Sequence, residues 1–347
     1  DTLLRNDTYF FSYVESIDAK MRYPLSAIVG LEVDSAQFGN NLPVRTYGIK
    51  GCEVLVPSNY NPVTREYSGL WDRLFKPAYT NNPVWILYDL LTNPIDGFGS
   101  RDLKIDIDKF YEASKYCDEL VDDGNGKKEP RFVCNAVIQG GKAYDVINSV
   151  CSSFRAVPAY NGEYFTIYYD RAHDITAIYN NSNVVDGMFT YSSTDRTEQY
   201  NQVQVQFADE ENGYETTIEE VADDRHIAKH GINTLSIVAF GATKRSYALR
   251  TAWWNLVTNL TEKEIVTFKV GAQGIKHEIY DIIQIADNDY VGESMGARIA
   301  DVAGAKVTLD RDIENVKKLV IDTKDGIKTI DVKRQLSGRE LELTIAP

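Results

Sequence analysis

Apolar residues recur at helical spacing in four stretches of the chain. The clearest start signal is Asn82-Pro83, a capping residue followed by proline at the first helical position, and Asn93-Pro94 ends the same stretch. The pattern predicts helices at 83–92, 106–121, 141–153 and 243–260. The apolar stripes assigned to the buried sides are Val84, Leu87, Tyr88 and Leu91; Phe110, Ala113, Cys117 and Leu120; Ala143, Val146, Ile147, Val150, Cys151 and Phe154; and Leu249, Trp253, Leu256 and Leu260.

Strict alternation of polar and apolar residues predicts strands elsewhere. Glutamines at 202, 204 and 206 alternate with Val203, Val205 and Phe207, and a turn at 211–213 leads into the predicted partner strand YETTIEEV. Asn161-Gly162 lies between two β-rich runs and predicts a hairpin. Lys324-Asp325-Gly326 and Ser337-Gly338 are turn signals of the same kind. Further strands are predicted in TYFFSYVESIDAKM, AIVGLEVDS, KEIVTFKV, YDIIQIA, ARIADV and KVTLD.

These elements predict an α+β protein that is mainly β. Residues 1–55 are β, 56–175 form a small α+β domain, 176–312 form a barrel-like β domain with two helices, and 313–347 form a C-terminal hairpin segment. The two helices of the segment 176–312 are DDRHIAKH, which ends at Gly231, and the helix at 243–260. A chain of 347 residues suits two to four domains.

The segment Val56–Pro94 opens with a run rich in Pro, Asn, Gly and aromatic residues, which predicts a fixed irregular loop before the first helix. Its aromatic side chains are expected to fix one domain against another. As candidate interface residues we take Trp71, Phe75 and Tyr79 here, together with Trp254 on the last helix. Core capping is the competing interpretation for the first three.

The acidic charge limits the possible partners. The 37 Lys and Arg residues face 51 Asp and Glu residues, so the net charge is −14. Such a chain repels nucleic acid, and we expect no stable nucleic-acid binding. No apolar run reaches the length of a membrane-spanning helix. The chain begins DTLLRND, from which we expect a fragment of a larger protein without a signal peptide.

Four cysteines are too few and too scattered for a disulfide framework. Cys52, Cys117, Cys134 and Cys151 are expected to be reduced and mostly buried, as in a protein that folds in a cytoplasm.

Two motifs resemble metal sites but lack essential ligands. His226 and His230 share a helix face, yet Ile227 stands where a zinc protease has its general-base glutamate. The stretch beginning at Asp287 resembles a calcium loop, but Val291 and Arg298 occupy two ligand positions. A surface helix and a turn between strands are the simpler interpretations.

No nucleophile elbow, P-loop or dinucleotide-binding motif is present. We therefore predict no catalytic, cofactor-binding or metal-binding residues, no cofactor, and a protein that is not an enzyme. The alternative is a carbohydrate-active enzyme or sugar-binding module on a β scaffold, since a pair of carboxylates can be distant in sequence and close in space.

Several stretches resemble a known family. YPLSAIVGLEVDSAQFGN, VPSNYNPVTREYSGLWD, FKPAY and EPRFVCNA are similar to the host-specificity protein J family of lambda-like tailed phages, and the similarity runs along essentially the whole chain. One departure is Ile279-Tyr280-Asp281, where family members often have a Pro-Gly-Asp turn.

The resemblance implies a structural virion protein of the tail tip. The family's N-terminal portion is similar to phage baseplate hub proteins, in which two β-barrel domains flank an α+β domain; residues 1–55 would then be part of the first barrel. Three copies would close a ring that continues the tail tube and passes DNA. The implied partners are other tail-tip, distal tail and tape-measure proteins, with the host outer-membrane receptor bound only by a C-terminal part beyond this chain. Assembly would take place in the bacterial host cytoplasm.

Overall fold

The computed structural model describes residues 28–30, 47–49, 51–99, 103–138, 140–193, 199–291, 296–323 and 326–347. Contacts group the chain into two units, Asp1–Lys50 and Gly51–Pro347. In the first unit the described residues are exposed and lie outside helices and strands. The strands predicted in TYFFSYVESIDAKM, and most of AIVGLEVDS, lie outside the described residues. Everything below concerns the second unit.

The predicted helices are present, with small shifts at their ends. The α-helices among the described residues are α1 Pro83–Thr92, α2 Ile107–Asp118, α3 Ala143–Ser152, α4 Asp224–His230, α5 Arg245–Thr261 and the short α6 Asn288–Val291, which was not predicted. The predicted caps of the first two are confirmed. Asn82 accepts from the amide of Val84 at 3.0 Å, and Asp106 accepts from the amide of Lys109 at 3.4 Å.

Short strands make up most of the remaining regular structure among the described residues. They are β1 Glu53–Pro57, β2 Tyr60–Asn61, β3 Glu66–Tyr67, β4 Phe75–Tyr79, β5 Leu120–Asp122, β6 Lys128–Pro130, β7 Ala156–Tyr160, β8 Phe165–Tyr169, β9 Ala177–Asn180, β10 Val184–Ser193, β11 Gln202–Asp209, β12 Glu215–Ala222, β13 Thr234–Val238, β14 Glu264–Val270, β15 Ile283–Ala286, β16 Ile299–Ala303, β17 Lys306–Leu309, β18 Lys318–Thr323, β19 Gly326–Gln335 and β20 Glu340–Leu343. The fold is therefore mixed α and β with mostly strands, as predicted in outline.

The first core lies between helices α1, α2 and α3 and the β7–β8 hairpin. Val84, Phe110, Val150 and Ile167 are buried at its centre. The predicted stripes are largely confirmed, with two corrections. Ala143 is exposed, and Leu120 is exposed because α2 ends at Asp118 and the chain turns there into β5.

The second core lies between α5 and the three-stranded sheet β12–β11–β13. β11 pairs antiparallel with β12, as the alternating pattern and the turn at 211–213 predict. It also pairs in parallel with β13, which the sequence pattern did not predict. Ala248, Ala252 and Leu256 occupy the buried face of α5. The assignment of Trp253 to that face is wrong, since its side chain is 52% exposed. Small alanines at four-residue spacing bring the helix close to the sheet and turn Trp253 outward.

The third core lies in a five-stranded sheet ordered β16–β17–β20–β19–β18. Val307, Ile330, Leu341 and Leu343 are buried on one of its faces. The predicted boundary between residues 312 and 313 falls in the connection from β17 to β18 within this one sheet. The hairpins around Gly326 and Gly338 are confirmed by the pairing of β18 with β19 and of β19 with β20.

Two further pairs of strands join distant parts of the sequence. β10 pairs antiparallel with β14, and β9 pairs parallel with β15. Near β15, Tyr280 has φ +71°, the backbone conformation that glycine adopts most easily. Tyr280 follows Ile279 at the place where the protein J family often has glycine, so the turn keeps a glycine-like backbone. The amide of Glu278 donates to Asp281 Oδ2 at 2.9 Å and closes it.

Candidate assembly interface

The loop that precedes α1 contains two strand pairs in addition to irregular structure. β1 pairs antiparallel with β4, and β2 pairs with β3. The strand β4 was missed because Pro77 interrupts it, and a proline is tolerated only at a position where its missing N–H is not needed. The loop is thereby fixed against α1 and α2.

Aromatic rings hold this loop to the two helices. Trp71 stacks on Tyr111 of α2 with ring centroids 4.8 Å apart, and Phe75 stacks on Tyr88 of α1 at 4.6 Å. Trp85 is fully buried and makes edge contacts with both loop rings. Each aromatic pair contributes about 0.5–1.5 kcal/mol beyond its buried area. Two of the candidate interface residues, Trp71 and Phe75, thus contact their own chain.

A buried ion pair lies beneath the aromatic rings. Arg65 donates through Nε to Asp118 Oδ1 at 2.5 Å, and the two side chains are 11% and 4% exposed. The other guanidinium nitrogens donate to Asn81 Oδ1 and, at 3.1 Å, to the carbonyl oxygen of Phe132. Arg65 therefore joins the loop to α2 and to the segment after β6.

Two more donors complete the surroundings of Asp118. Asn82 Nδ2 and the Tyr67 hydroxyl donate to Oδ2 at 2.8 and 3.0 Å. Burial raises the pKa of Asp118, whereas Arg65 and the two hydrogen bonds act in the opposite direction. Burial also raises the pKa of Tyr67. The network thus joins the loop, α1, α2 and the segment after β6 of the same chain.

The remaining two candidate interface residues differ in exposure. Tyr79 is 42% exposed at the end of β4. Trp254 is half-buried, and its Nε1 donates to Asp170 Oδ2 at 2.9 Å, which links α5 to the end of β8. The Arg155 guanidinium lies 4.8 Å from the Trp254 ring. Trp254 therefore connects the first and second cores.

The two motifs that resemble metal sites lie on a short helix and in a hydrogen-bonded turn. The rings of His226 and His230 lie 5.8 Å apart on the short helix α4. Asp287 accepts from Asn181 Nδ2 at 3.0 Å and from the Tyr191 hydroxyl at 2.9 Å, so protein donors occupy its carboxylate. Within the described ranges, no group of three or more His, Cys, Asp and Glu side chains stands close enough to hold a metal ion.

Unpaired strand edges are a prominent feature of the surface. Among the described residues, β10 and β14 form a ribbon of two strands with no third partner. Several of its apolar side chains are exposed, including Met188 at 67% and Ile265 at 58%. β16 is an edge of the five-stranded sheet and is exposed along its whole length. Long exposed edges of this kind are templates for pairing with another chain.

Comparison with known proteins identifies the relatives of this chain. Tip attachment protein J of Escherichia phage SECphi27 is 40% identical over 344 residues, which cover 96% of this chain and 29% of the phage protein. The chain is a homologue of tip attachment protein J. The protein J of Escherichia phage SECphi4 is 33% identical over 319 residues, covering 89% of this chain and 28% of that protein. The chain thus spans less than a third of the length of these curated relatives.

A family model described as "Putative phage tail protein" matches residues 142–302. That range includes α3, the second core and the β10–β14 ribbon. The family model and the protein J relatives agree, and they confirm the resemblance seen in the sequence.

Three solved structures show partial similarity to this chain. The virion of a native gene transfer agent particle matches with a TM-score of 0.32 and 12% identity, over 59% of this chain and 39% of that one. The 43 kDa tail protein of prophage MuSo2 from Shewanella oneidensis matches with a TM-score of 0.34 and 12% identity, over 77% of this chain and 67% of that one. The tail protein of Neisseria meningitidis MC58 matches with a TM-score of 0.35 and 10% identity, over 63% of this chain and 59% of that one. At these scores the matches establish no shared fold.

In the described part of the chain, no helix has both the length and the apolar character needed to cross a membrane.

Proposed function

We propose that this chain is a structural part of a phage tail tip and forms the central hub of that tip. The observation that carries the proposal is the alignment with protein J, which runs along 96% of this chain. An alignment of that length supports a similar arrangement of all three cores, whereas a short shared motif would support similarity at one site only.

The open strand edges support a role in assembly. A ribbon of two strands is only marginally stable in water on its own. The β10–β14 ribbon extends over ten residues of β10, with apolar side chains exposed on it. Pairing with a neighbouring subunit would complete its hydrogen bonds and bury those side chains. The exposed edge of β16 offers a second place for such pairing.

In this proposal three copies close into a ring that continues the tail tube. Two barrel-like domains in each subunit would flank the α+β domain and give the ring an approximate sixfold wall. The net charge of −14 suits a conduit, because an acidic wall lets DNA pass without binding it. The ring would contact other tail-tip, distal tail and tape-measure proteins and carry the receptor-binding part at its far end.

The candidate interface residues have different roles in this proposal. Trp71 and Phe75 fix the loop that precedes α1, and Trp254 fixes the first core to the second. Tyr79 is the residue of the four that reaches the surface on β4 and is available to a neighbouring subunit.

Native mass spectrometry of the purified chain tests the ring. The expected result is a trimer whose population grows with protein concentration. Replacing Ile265 in the β10–β14 ribbon by lysine places a charge on the exposed ribbon and is expected to reduce the trimer. The control is Ile232→Lys, at a position that is 69% exposed outside any strand. A chain that stays monomeric at high concentration contradicts the ring.

A further inference from the structure

A cleft lies beside α5 at the junction between the first and second cores. Its volume is about 240 Å³. Three arginines line it, Arg131, Arg155 and Arg250, together with the rings of Phe132 and Trp254. Three guanidinium groups line one cleft in a chain whose net charge is −14.

Two of the three arginines have a carboxylate of their own. Arg131 Nη2 lies 2.8 Å from Glu119 Oε2. Arg250 Nη2 lies 3.1 Å from Glu129 Oε1 and also donates to the carbonyl oxygen of Arg131 at 3.2 Å. These two side chains are neutralised within the chain.

Arg155 makes no direct ion pair with a carboxylate among the described residues, although Asp170 lies near enough to attract it. Its guanidinium lies 5.3 Å from the Phe132 ring and 4.8 Å from the Trp254 ring, and its Nη2 donates to the carbonyl oxygen of Arg250 at 3.3 Å. The nearby Asp170 carboxylate accepts instead from Trp254 Nε1. Burial lowers the pKa of Arg155 to about 10, which reflects the cost of holding this cation away from water.

The geometry leaves the edge of the Arg155 guanidinium as its hydrogen-bonding surface. Two aromatic rings lie within 5.3 Å of its central carbon, and guanidinium N–H groups donate in the plane of the group, where they match the two oxygens of a carboxylate. The backbone of Arg155 has φ +58°, a conformation that is unfavourable for a residue with a side chain. A partly buried arginine in this backbone conformation, with one side-chain hydrogen bond, is unfavourable for stability unless it also has a binding role.

Apolar groups border the same cleft on its open side. Trp253 is 52% exposed and Val257 is 49% exposed, and both line the shallower part that continues from the arginines. A ligand that reaches Arg155 therefore passes an indole ring and an aliphatic side chain. This combination suits a group that carries a carboxylate next to apolar carbon atoms.

The cleft is less suited to phosphates and nucleic acids. Glu119 and Glu129 pair with two of the arginines that line it and disfavour a doubly charged group there, and the acidic surface of the chain repels a polyanion. A single carboxylate adds one negative charge and can pair directly with Arg155.

We propose that this cleft binds a carboxylate-bearing segment of a partner protein, with the carboxylate on Arg155 and an adjoining apolar side chain on Trp253. The site is independent of the tail-tip assignment, because it rests on the cleft alone. Occupation would give the guanidinium a direct carboxylate partner and cover the exposed indole.

N-acetyl-L-phenylalanine is a suitable probe, since it carries one carboxylate beside an apolar ring. Its amide, N-acetyl-L-phenylalaninamide, has the same ring without the charge. Binding is followed by NMR through the indole N–H signals of the 347-residue chain, assigned with Trp253→Phe and Trp254→Phe. The acid is expected to shift these two signals in a saturable manner and to bind roughly tenfold or more tightly than the amide.

Arg155→Gln is expected to weaken binding of the acid roughly tenfold or more, because it removes the charged donor. The matched control is Arg73→Gln. Arg73 also has positive φ but lies in an exposed ion pair with Asp108, outside the cleft, so binding should be unchanged. If Arg155→Gln does not fold, the exposed Trp253→Ala variant is expected to fold and to weaken both probes.

Three results would overturn the proposal. They are binding of the amide as tight as that of the acid, unchanged acid binding in Arg155→Gln, and no saturable shift of either indole signal in the unaltered chain. Tighter binding of inorganic phosphate than of the acid would also contradict the assignment to a carboxylate.

Discussion

Removing the arginine of the buried Arg65–Asp118 pair should destabilise the region around α1 and α2 far more than removing an arginine of the same kind at the surface. In Arg65→Ala, the Asp118 carboxylate keeps its burial and loses its cation. The Asn81 side chain and the Phe132 carbonyl also lose a donor. Taking one partner from a buried ion pair costs about 3–5 kcal/mol.

The control for this variant is Arg73→Ala. Both arginines have left-handed backbone, with φ +58° at Arg65 and +63° at Arg73, so the backbone effect of alanine is the same. The Arg73–Asp108 pair is 66% and 69% exposed. Exposed pairs of this kind contribute about 0–1 kcal/mol. The difference between the two variants therefore isolates burial of the pair.

Hydrogen exchange followed by mass spectrometry measures the effect locally, which suits a chain with several cores. Amides of α1 and α2 in Arg65→Ala should exchange faster by about two to three and a half orders of magnitude, the equivalent of 3–5 kcal/mol. The same peptides in Arg73→Ala should change by less than about one order of magnitude. Equal exchange in the two variants would refute the assignment of Arg65 to a buried, stabilising role.

The loss of local stability in Arg65→Ala should depend on pH in a definite direction. Asp118 already has a folded-state pKa above its ordinary 3.8, and loss of Arg65 should raise it further. A group with a raised pKa contributes stability below its unfolded value, and that stability is lost as the pH rises through the folded value. The deficit of Arg65→Ala should thus be larger at pH 7 than near pH 4. A deficit that grows on acidification would contradict this reasoning.

Two further predictions concern the glycine at 241 and the four thiols. Gly241→Ala should destabilise the chain by about 1–3 kcal/mol more than Gly213→Ala, measured by thermal unfolding, because an added Cβ at 241 meets Cys134 Sγ at 2.6 Å whereas 213 has open space at a similar positive φ. Equal losses would show that the contact with Cys134 relaxes without cost. With a thiol-specific disulfide reagent at pH 8, the folded chain should react at the exposed Cys52, and the buried Cys117, Cys134 and Cys151 should react only after unfolding. Burial raises the pKa of Cys134 and Cys151 to about 12 and that of Cys117 well above its usual range, so rapid reaction of all four would contradict their burial.

Local signals in the sequence predicted the helices well because their caps and stripes are adjacent in the chain. Asn82-Pro83 and Asp106 mark the starts of α1 and α2, and the structure shows both caps. The sequence could not show that Asn82 also donates to Asp118, because that contact joins residues far apart in the chain. The prediction assigned Trp253 to the buried face of α5 because it considered hydrophobicity and not side-chain size. The small residues Ala248 and Ala252 form the face that contacts the sheet.

The two arginines with most influence on the structure had no recognisable sequence signal. Arg65 lies in a polar turn, and Arg155 follows α3 in a run that predicts only a strand. Their importance comes from left-handed backbone and from partners on other elements, such as Asp118 and Trp254. The family resemblance was visible in the sequence because it extends over many stretches of the chain.

The most direct test of the tail-tip assignment is immunogold electron microscopy of particles produced by the bacterium or phage that encodes this chain. The antibody is raised against Gly51–Pro347. The assignment predicts gold at the distal end of the tail in intact particles. Gold confined to the capsid, or a signal found only with secreted protein and absent from particles, would contradict it.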